Sequence, residues 1–205
     1  LGTNHFTPGF DRVAVWTGGP WRTPLGPAAI DAAAAEALIA ADPQCCVTDP
    51  WPHLDEHSIE VQLPFAQTLF PGVPVLPLLV GLGGLHSREY FGELLAEFVA
   101  DRNALLFASS DLSHYPSRSD SEDIDRATIE AIVSLDSDHL QTSMTHQMNS
   151  RSAQLATCAC GEAPIMVLMA AAANLGCHSG TLLAYSNSVD VPAGDESRVV
   201  GYAAI

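Results

Sequence analysis

The chain contains no lysine. All eight of its basic residues are arginine, so a Schiff base on a lysine amine and a P-loop lysine are both excluded within these residues. Positive charge is scarce altogether: 24 acidic residues against 8 basic ones give a net charge of −16. No basic patch is available to meet a phosphate backbone or an anionic membrane surface, so neither nucleic acid nor membrane is an expected partner. No apolar run reaches the roughly 20 residues of a membrane-spanning helix, and no secretory signal pattern is present. Cysteines number only five, an odd count, in a chain of 205 residues. A chain of that length buries a core without staples, so reduced thiols and a cytoplasmic location are expected, with some thiols free for metal or chemistry. There is no GxSxG nucleophile elbow and no HExxH zinc helix. Gly81, Gly83 and Gly84 do not complete a GxGxxG phosphate loop, because His86 stands where its last glycine belongs.

What is present is apolar. Hydrophobic residues make up 47% and charged residues 16%, the balance of a well-buried globular domain. Short apolar runs alternate with helical patterns, which predicts a single α/β domain over residues 1–205, with a largely parallel central sheet flanked by helices. Leu1 to Asn4, Val73 to Val80 and Ala104 to Ala108 read as strands, the last as one buried on both faces. Pro27 to Ala40, Glu56 to Phe70, Ser87 to Ala100, Asp120 to Leu135, Asp138 to Met148 and Gly161 to Leu175 read as helices. Ser87 has the look of a capping box, and Pro64 makes the second of these helices start late or kink. Thr181 to Tyr185 and Val199 to Ile205 read as closing strands. The opening residues look like a strand end running into a loop, with neither Met nor lead-in, so an upstream segment is expected.

The chemistry concentrates in a few places. Ser109 to His114 follow the Ala104 run, where open α/β sheets place their ligands; Asp111 and His114 put an acid and an imidazole there. Asp55 to Glu60 set His57 among carboxylates at a helix mouth, an arrangement suited to a general base and its orienting acid. Asp55 and Glu56 also fit as ordinary helix-start acids. Cys160 opens the apolar helix after Cys158 and Ala159. A helix N-terminus favours thiolate, which is both nucleophile and metal ligand, and Gly161 leaves room above it. Cys158 reads as a buried apolar thiol, and His5 lies just past the first strand.

These pieces, in this order, resemble the Memo family, protein B of the AmmeMemoRadiSam system. The matching stretches are GTNHF at Gly2, WRTPLGPAAID at Trp21, DEHSIEVQLPF at Asp55, VPVLPLLVG at Val73, SSDLSHY at Ser109, ACGEAPI at Ala159, YSNSVD at Tyr185 and VVGYAAI at Val199. The resemblance implies a fold shared with LigB-type class III extradiol dioxygenases and a metal-type site at the carboxyl ends of the strands. It implies His5 and Cys160 as metal ligands, with His57, Asp111 and His114 as catalytic residues in the same pocket. It leaves iron, zinc and copper open as the ion. Two departures stand out. The family's first metal histidine belongs to an upstream APHAGY-type motif that this chain does not contain, and Phe6 replaces a second histidine after His5.

Three functions stay open at this level. One is a metal-dependent, dioxygenase-like redox enzyme. Another is a non-catalytic module whose vestigial pocket takes a peptide or other partner. The third is a metal-assisted lyase or hydrolase with His57 or His114 as base. No small-molecule substrate can be named from the sequence.

Overall fold

The computed structural model describes residues 1–150 and 154–205. In chain order its elements are β1 (Gly2–Thr3), β2 (Val13–Val15), β3 (Trp21–Thr23), β4 (Gly26–Ala28), α1 (Ala32–Ala41), β5 (Cys46–Val47), α2 (Trp51–Leu54), a 3-10 turn (Glu60–Gln62) and α3 (Leu63–Leu69). Then follow β6 (Leu78–Val80), α4 (Leu85–Val99), α5 (Arg118–Val133), α6 (Ser137–Ser150), α7 (Glu162–Asn174), β7 (Ala184–Asn187) and β8 (Gly201–Ala204). The central sheet runs β1-β6-β2-β5. Its β1–β6 and β2–β5 pairings are parallel and β2–β6 is antiparallel. The expected α/β architecture with a mostly parallel sheet flanked by helices is therefore the one observed.

The sheet is short but fully buried at its centre. Val13, Val15, Leu78 and Val80 pack with Leu38 from α1, Phe91 and Leu95 from α4, and Val167 from α7. The apolar run at Val13 and the run at Leu78 lie side by side because neither has a polar face to turn to water. Helices α4 and α7 cross closely at Gly92, where an added Cβ would sit 2.5 Å from Ala170 Cβ and 2.8 Å from Val167 O. A second apolar cluster joins Ile124 and Ile132 of α5, Leu140 and Met144 of α6, and Met166 and Met169 of α7. Pro64 sits in the first turn of α3, where its missing N–H costs no helical bond.

Three local expectations are overturned. Pro27 lies in β4, and the helix expected from it begins only at Ala32. Ala104 to Ala108 forms no strand of the central sheet, and the run is not buried on both faces: Leu105 is 71% and Phe107 53% exposed. The segment lies along β1, with Leu1 N donating to Phe107 O at 2.6 Å and Ser109 N donating to Leu1 O at 2.9 Å. A short apolar run does not by itself say how many of its sides are covered. The Ser87 cap is also not formed. Helix α4 begins two residues earlier behind Gly84, and no side chain caps it. Among the described residues, no helix is long and apolar enough to cross a membrane.

Candidate functional site

The SSDLSHY loop is held from two sides. Leu112 N donates to Gly201 O, Gly201 N to Ser113 O, and His114 exchanges backbone bonds with Thr157 and Ala156. This ties the loop between β8 and the segment that leads to Cys160. From below, Asp125 of α5, fully buried, accepts from Ser113 N at 2.9 Å, Ser121 Oγ at 3.0 Å and Tyr185 Oη at 2.8 Å. Tyr115, just after His114, takes a left-handed φ of 74°, which persists because its N–H is anchored on Val199 O and Arg198 stacks on its ring. Replacing Asp125 with alanine leaves three donors without a charged buried acceptor. At about 1 kcal/mol or more each, the expected loss is roughly 3 kcal/mol, to be measured by urea unfolding. A loss under about 1 kcal/mol would mean that water takes over the carboxylate's role.

Cys160 meets this loop directly. Its Sγ accepts from Asp111 N at 3.3 Å and lies 3.8 Å from Ser110 Oγ. Gly161 is the reason the approach succeeds: an added Cβ would fall 2.6 Å from Ser109 O and from Ser110 Cβ. The space expected above Gly161 is thus filled by the loop itself, and Gly161 N donates to Ser110 Oγ at 2.7 Å. Asp111, His114 and Cys160 each offer a ligand atom, all within 4.8 Å of one another. His114 Nε2 lies 3.6 Å from Asp111 Oδ2, longer than a hydrogen bond. This buried nitrogen has no hydrogen-bond partner among the described residues.

His5 arrives from the end of β1, held by Glu56. The Glu56 carboxylate accepts from the His5 ring Nδ1 at 3.0 Å and from three backbone amides, His5 N at 2.8 Å, His57 N at 2.8 Å and Ser58 N at 2.9 Å. Its side chain is 2% exposed. With Nδ1 committed to Glu56, the His5 Nε2 is free to face the thiol. His57 stacks on His5 with ring centroids 5.2 Å apart, but its own side chain is 57% exposed. It groups with His5 and Glu56 rather than with Asp111, His114 and Cys160.

The charges follow from this packing. Burial raises the Cys160 thiol, but the nearby His114 and His5 imidazoles, then the Asp111 amide and Ser110, outweigh burial and hold it at about 6. His114 is raised to about 9, first by the Asp111 carboxylate and then by Cys160. His5 is raised to about 9, first by Cys160, with Glu56 adding to it against burial. Cys158 is pushed the other way, to about 11, by burial, and has no exposed surface. In metal-free protein, iodoacetamide is therefore expected to label Cys160 ahead of Cys158. The Cys160 rate should climb through about pH 6 and level off by about pH 8, since only thiolate reacts. Mass spectrometry of the two peptides reads this directly. Equal labelling, or a rate still rising at about pH 9, would contradict the thiolate assignment.

Over its full length, residues 1–205, the chain matches the family model described as "Memo-like protein". The chain belongs to the Memo family. Three relatives described as MEMO1 family proteins illustrate the spread. One from Nitrosopumilus maritimus is 36% identical over 206 residues, covering 100% of this chain and 71% of its own length. Another from Methanopyrus kandleri is 37% identical over 210 residues, at 100% and 70% coverage. One from Aquifex aeolicus is 34% identical over 206 residues, at 98% and 72%. In this Memo-family chain Asp111, His114 and Cys160 form one group and His5, Glu56 and His57 a second, with His5 near enough to Cys160 for each to shift the other's pKa. Sequence reasoning passes over Glu56 and Asp125. Glu56 is visible next to His57 but fits equally as a helix-start acid. Asp125 carries no signal beyond being one of several acids in a helical stretch.

Proposed function

We propose that this Memo-family chain is a metal-dependent oxidoreductase, related in chemistry to the extradiol dioxygenases, whose ion is held by Cys160, His5 and His114. The observation that carries this reading is the His114 Nε2 atom, buried and without a hydrogen-bond partner between a carboxylate and a thiolate. An unpaired buried imidazole nitrogen costs free energy that a cation would recover. The donors fit a metal: one thiolate and two imidazoles, with Glu56 orienting His5 from behind as carboxylates orient ligating histidines. The family motifs lead one to expect two ligands here, and His114 supplies the third from this chain. When bound, iron or copper would supply one-electron chemistry, whereas zinc would act as a Lewis acid. The soft thiolate weighs toward copper or zinc.

The protein's own groups have distinct tasks in this reading. Asp111 sits beside His114, its carboxylate 3.6 Å from Nε2, where its charge favours a cation. His57, exposed and stacked on His5, is placed to take or return a proton at a substrate on the open side. Calorimetric titration with Fe²⁺, Zn²⁺ and Cu⁺, followed by oxygen-uptake screening of the loaded protein, tests this. One-to-one binding with oxygen consumption supports the oxidoreductase. Binding of zinc alone, with no oxygen uptake, moves the reading to a metal-assisted lyase or hydrolase.

One observation favours a partner-binding module instead. Trp51, Leu54, Phe65 and Leu69 on α2 and α3 are all exposed, more apolar surface than a single short stretch ordinarily shows to water. Capture of a peptide by the metal-free protein, with no turnover after metal loading, would favour that reading.

A further inference from the structure

The segment Ala104 to Ala108 leaves an edge open beside the central sheet. Its burial alternates: Leu105 and Phe107 are exposed, while Leu106 and Ala108 are half-buried. A period of two is that of an extended chain, and Leu106 packs against the core cluster around Val13 and Phe91. One face of the segment is therefore covered and the other is open. On its inner edge, Phe107 O and Ser109 N are both bonded to Leu1, the pattern of a parallel ladder. Consecutive residues of an extended chain turn their backbone groups to opposite edges, so Leu106 and Ala108 present theirs outward. Among the described residues, the N–H and C=O of Leu106 and Ala108 have no backbone partner.

Proteins blunt an edge that stays in water with a charge, a proline or a bulge. Ala104-Leu105-Leu106-Phe107-Ala108 carries neither charge nor proline. Its open face is apolar through Leu105 and Phe107, and Leu182 and Leu183, which lead into β7, are exposed as well. An added strand would bury those side chains and pair the free backbone groups in one step. Its source follows from length. The matched stretch makes up 71%, 70% and 72% of the three relatives, so more than a quarter of each lies outside it. A strand takes only about 5–6 residues.

We propose that the outer edge of Ala104 to Ala108 is a docking site for a β-strand of the same polypeptide, contributed by sequence outside these 205 residues. The strand pairs with the backbone of Leu106 and Ala108, and it covers Leu105 and Phe107 together with the chain attached to it. It is apolar at alternate positions, to match the open face, and has no proline where it bonds. The inference does not depend on the metal reading, since none of Ala104 to Ala108 belongs to the Cys160 cluster.

The test uses the natural polypeptide at its full length. Amide hydrogen exchange is read at Leu106 and Ala108 and compared with Gly19, which is exposed and whose N–H has no backbone partner. The expected result is exchange at both positions at least about 100-fold slower than at Gly19. A photo-cross-linking residue, benzoylphenylalanine, is then placed at position 105, where the exposed Leu105 leaves room for a larger ring. Mass spectrometry of the irradiated protein should find an intramolecular cross-link from position 105 to sequence outside the 205 residues. The exchange measurement needs no substitution, so it decides the matter even where the cross-linking variant fails to fold. Three results overturn the proposal: exchange at Leu106 and Ala108 as fast as at Gly19; a cross-link to a separate polypeptide, whether a second copy or another protein; or a natural polypeptide with no residues beyond these.

Discussion

Replacing Cys160 with alanine is expected to lower the affinity for Zn²⁺ or Cu⁺ by more than about 100-fold. Loss of an outer-shell group from a metal site costs ~10–100-fold, and Cys160 supplies the anionic sulfur itself in the proposed site. The same substitution should also release both histidines in the metal-free protein. His5 stands at about 9 chiefly because of Cys160, and His114 owes part of its rise to the same thiol. Without the thiol, NMR titration should find His5 well below its value of about 9 and closer to the ordinary ~6.5. The pH window has a definite sign. The His5 contribution to stability is complete below its unfolded value and fades as pH rises through about 9. The Cys160 contribution is complete above the ordinary thiol value and fades as pH falls through about 6. The thiolate–imidazolium pair therefore exists together between about pH 6 and 9. Metal affinity within about tenfold of the unsubstituted chain would remove Cys160 from the ligand set.

Replacing Glu56 with alanine is expected to cost stability and metal affinity together. Its carboxylate holds three backbone amides and the His5 ring. The three amides alone predict a loss of roughly 3 kcal/mol at about 1 kcal/mol each. Metal binding should weaken by ~10–100-fold, because His5 loses the group that sets its tautomer and direction. Glu56→Gln keeps an acceptor and should fall between the two. Burial pushes the Glu56 carboxyl up, but the His5 amide and ring and the Ser58 amide outweigh it and hold the group low. Its contribution is thus present at neutral pH and lost as pH falls below the ordinary glutamate range. Thermal unfolding at neutral and at acidic pH, alongside zinc titration, separates the effects. Unchanged stability with weakened metal binding would make Glu56 purely an orienting group.

The ways in which the sequence misleads are as physical as the ways in which it informs. The Ala104 to Ala108 run has the composition of a buried strand, yet Leu105 and Phe107 face water. Apolar content tells that a segment can be buried, not what covers it. Ser87 has cap chemistry, but helix α4 starts earlier behind Gly84, because the exact end of a helix depends on the backbone geometry that leads into it as much as on the side chains nearby. Glu56 is hidden by an equally good local explanation, and Asp125 by having no local explanation at all.

By itself the sequence determined the alternation that gives an α/β sheet, the absence of lysine chemistry, and the motifs that carry His5, Asp111, His114 and Cys160. These are properties of residue type and local spacing, which short-range sterics and hydrophobic periodicity fix. Only the tertiary structure decided which of these groups face one another and with what charge. Glu56 reaches His5 across 51 positions, Asp111 reaches Cys160 across 49, and Asp125 braces the loop from a separate helix. A thiol at about 6 beside imidazoles at about 9 exists only where packing brings them together out of water, since charge–charge interaction falls with distance and with the dielectric between the groups.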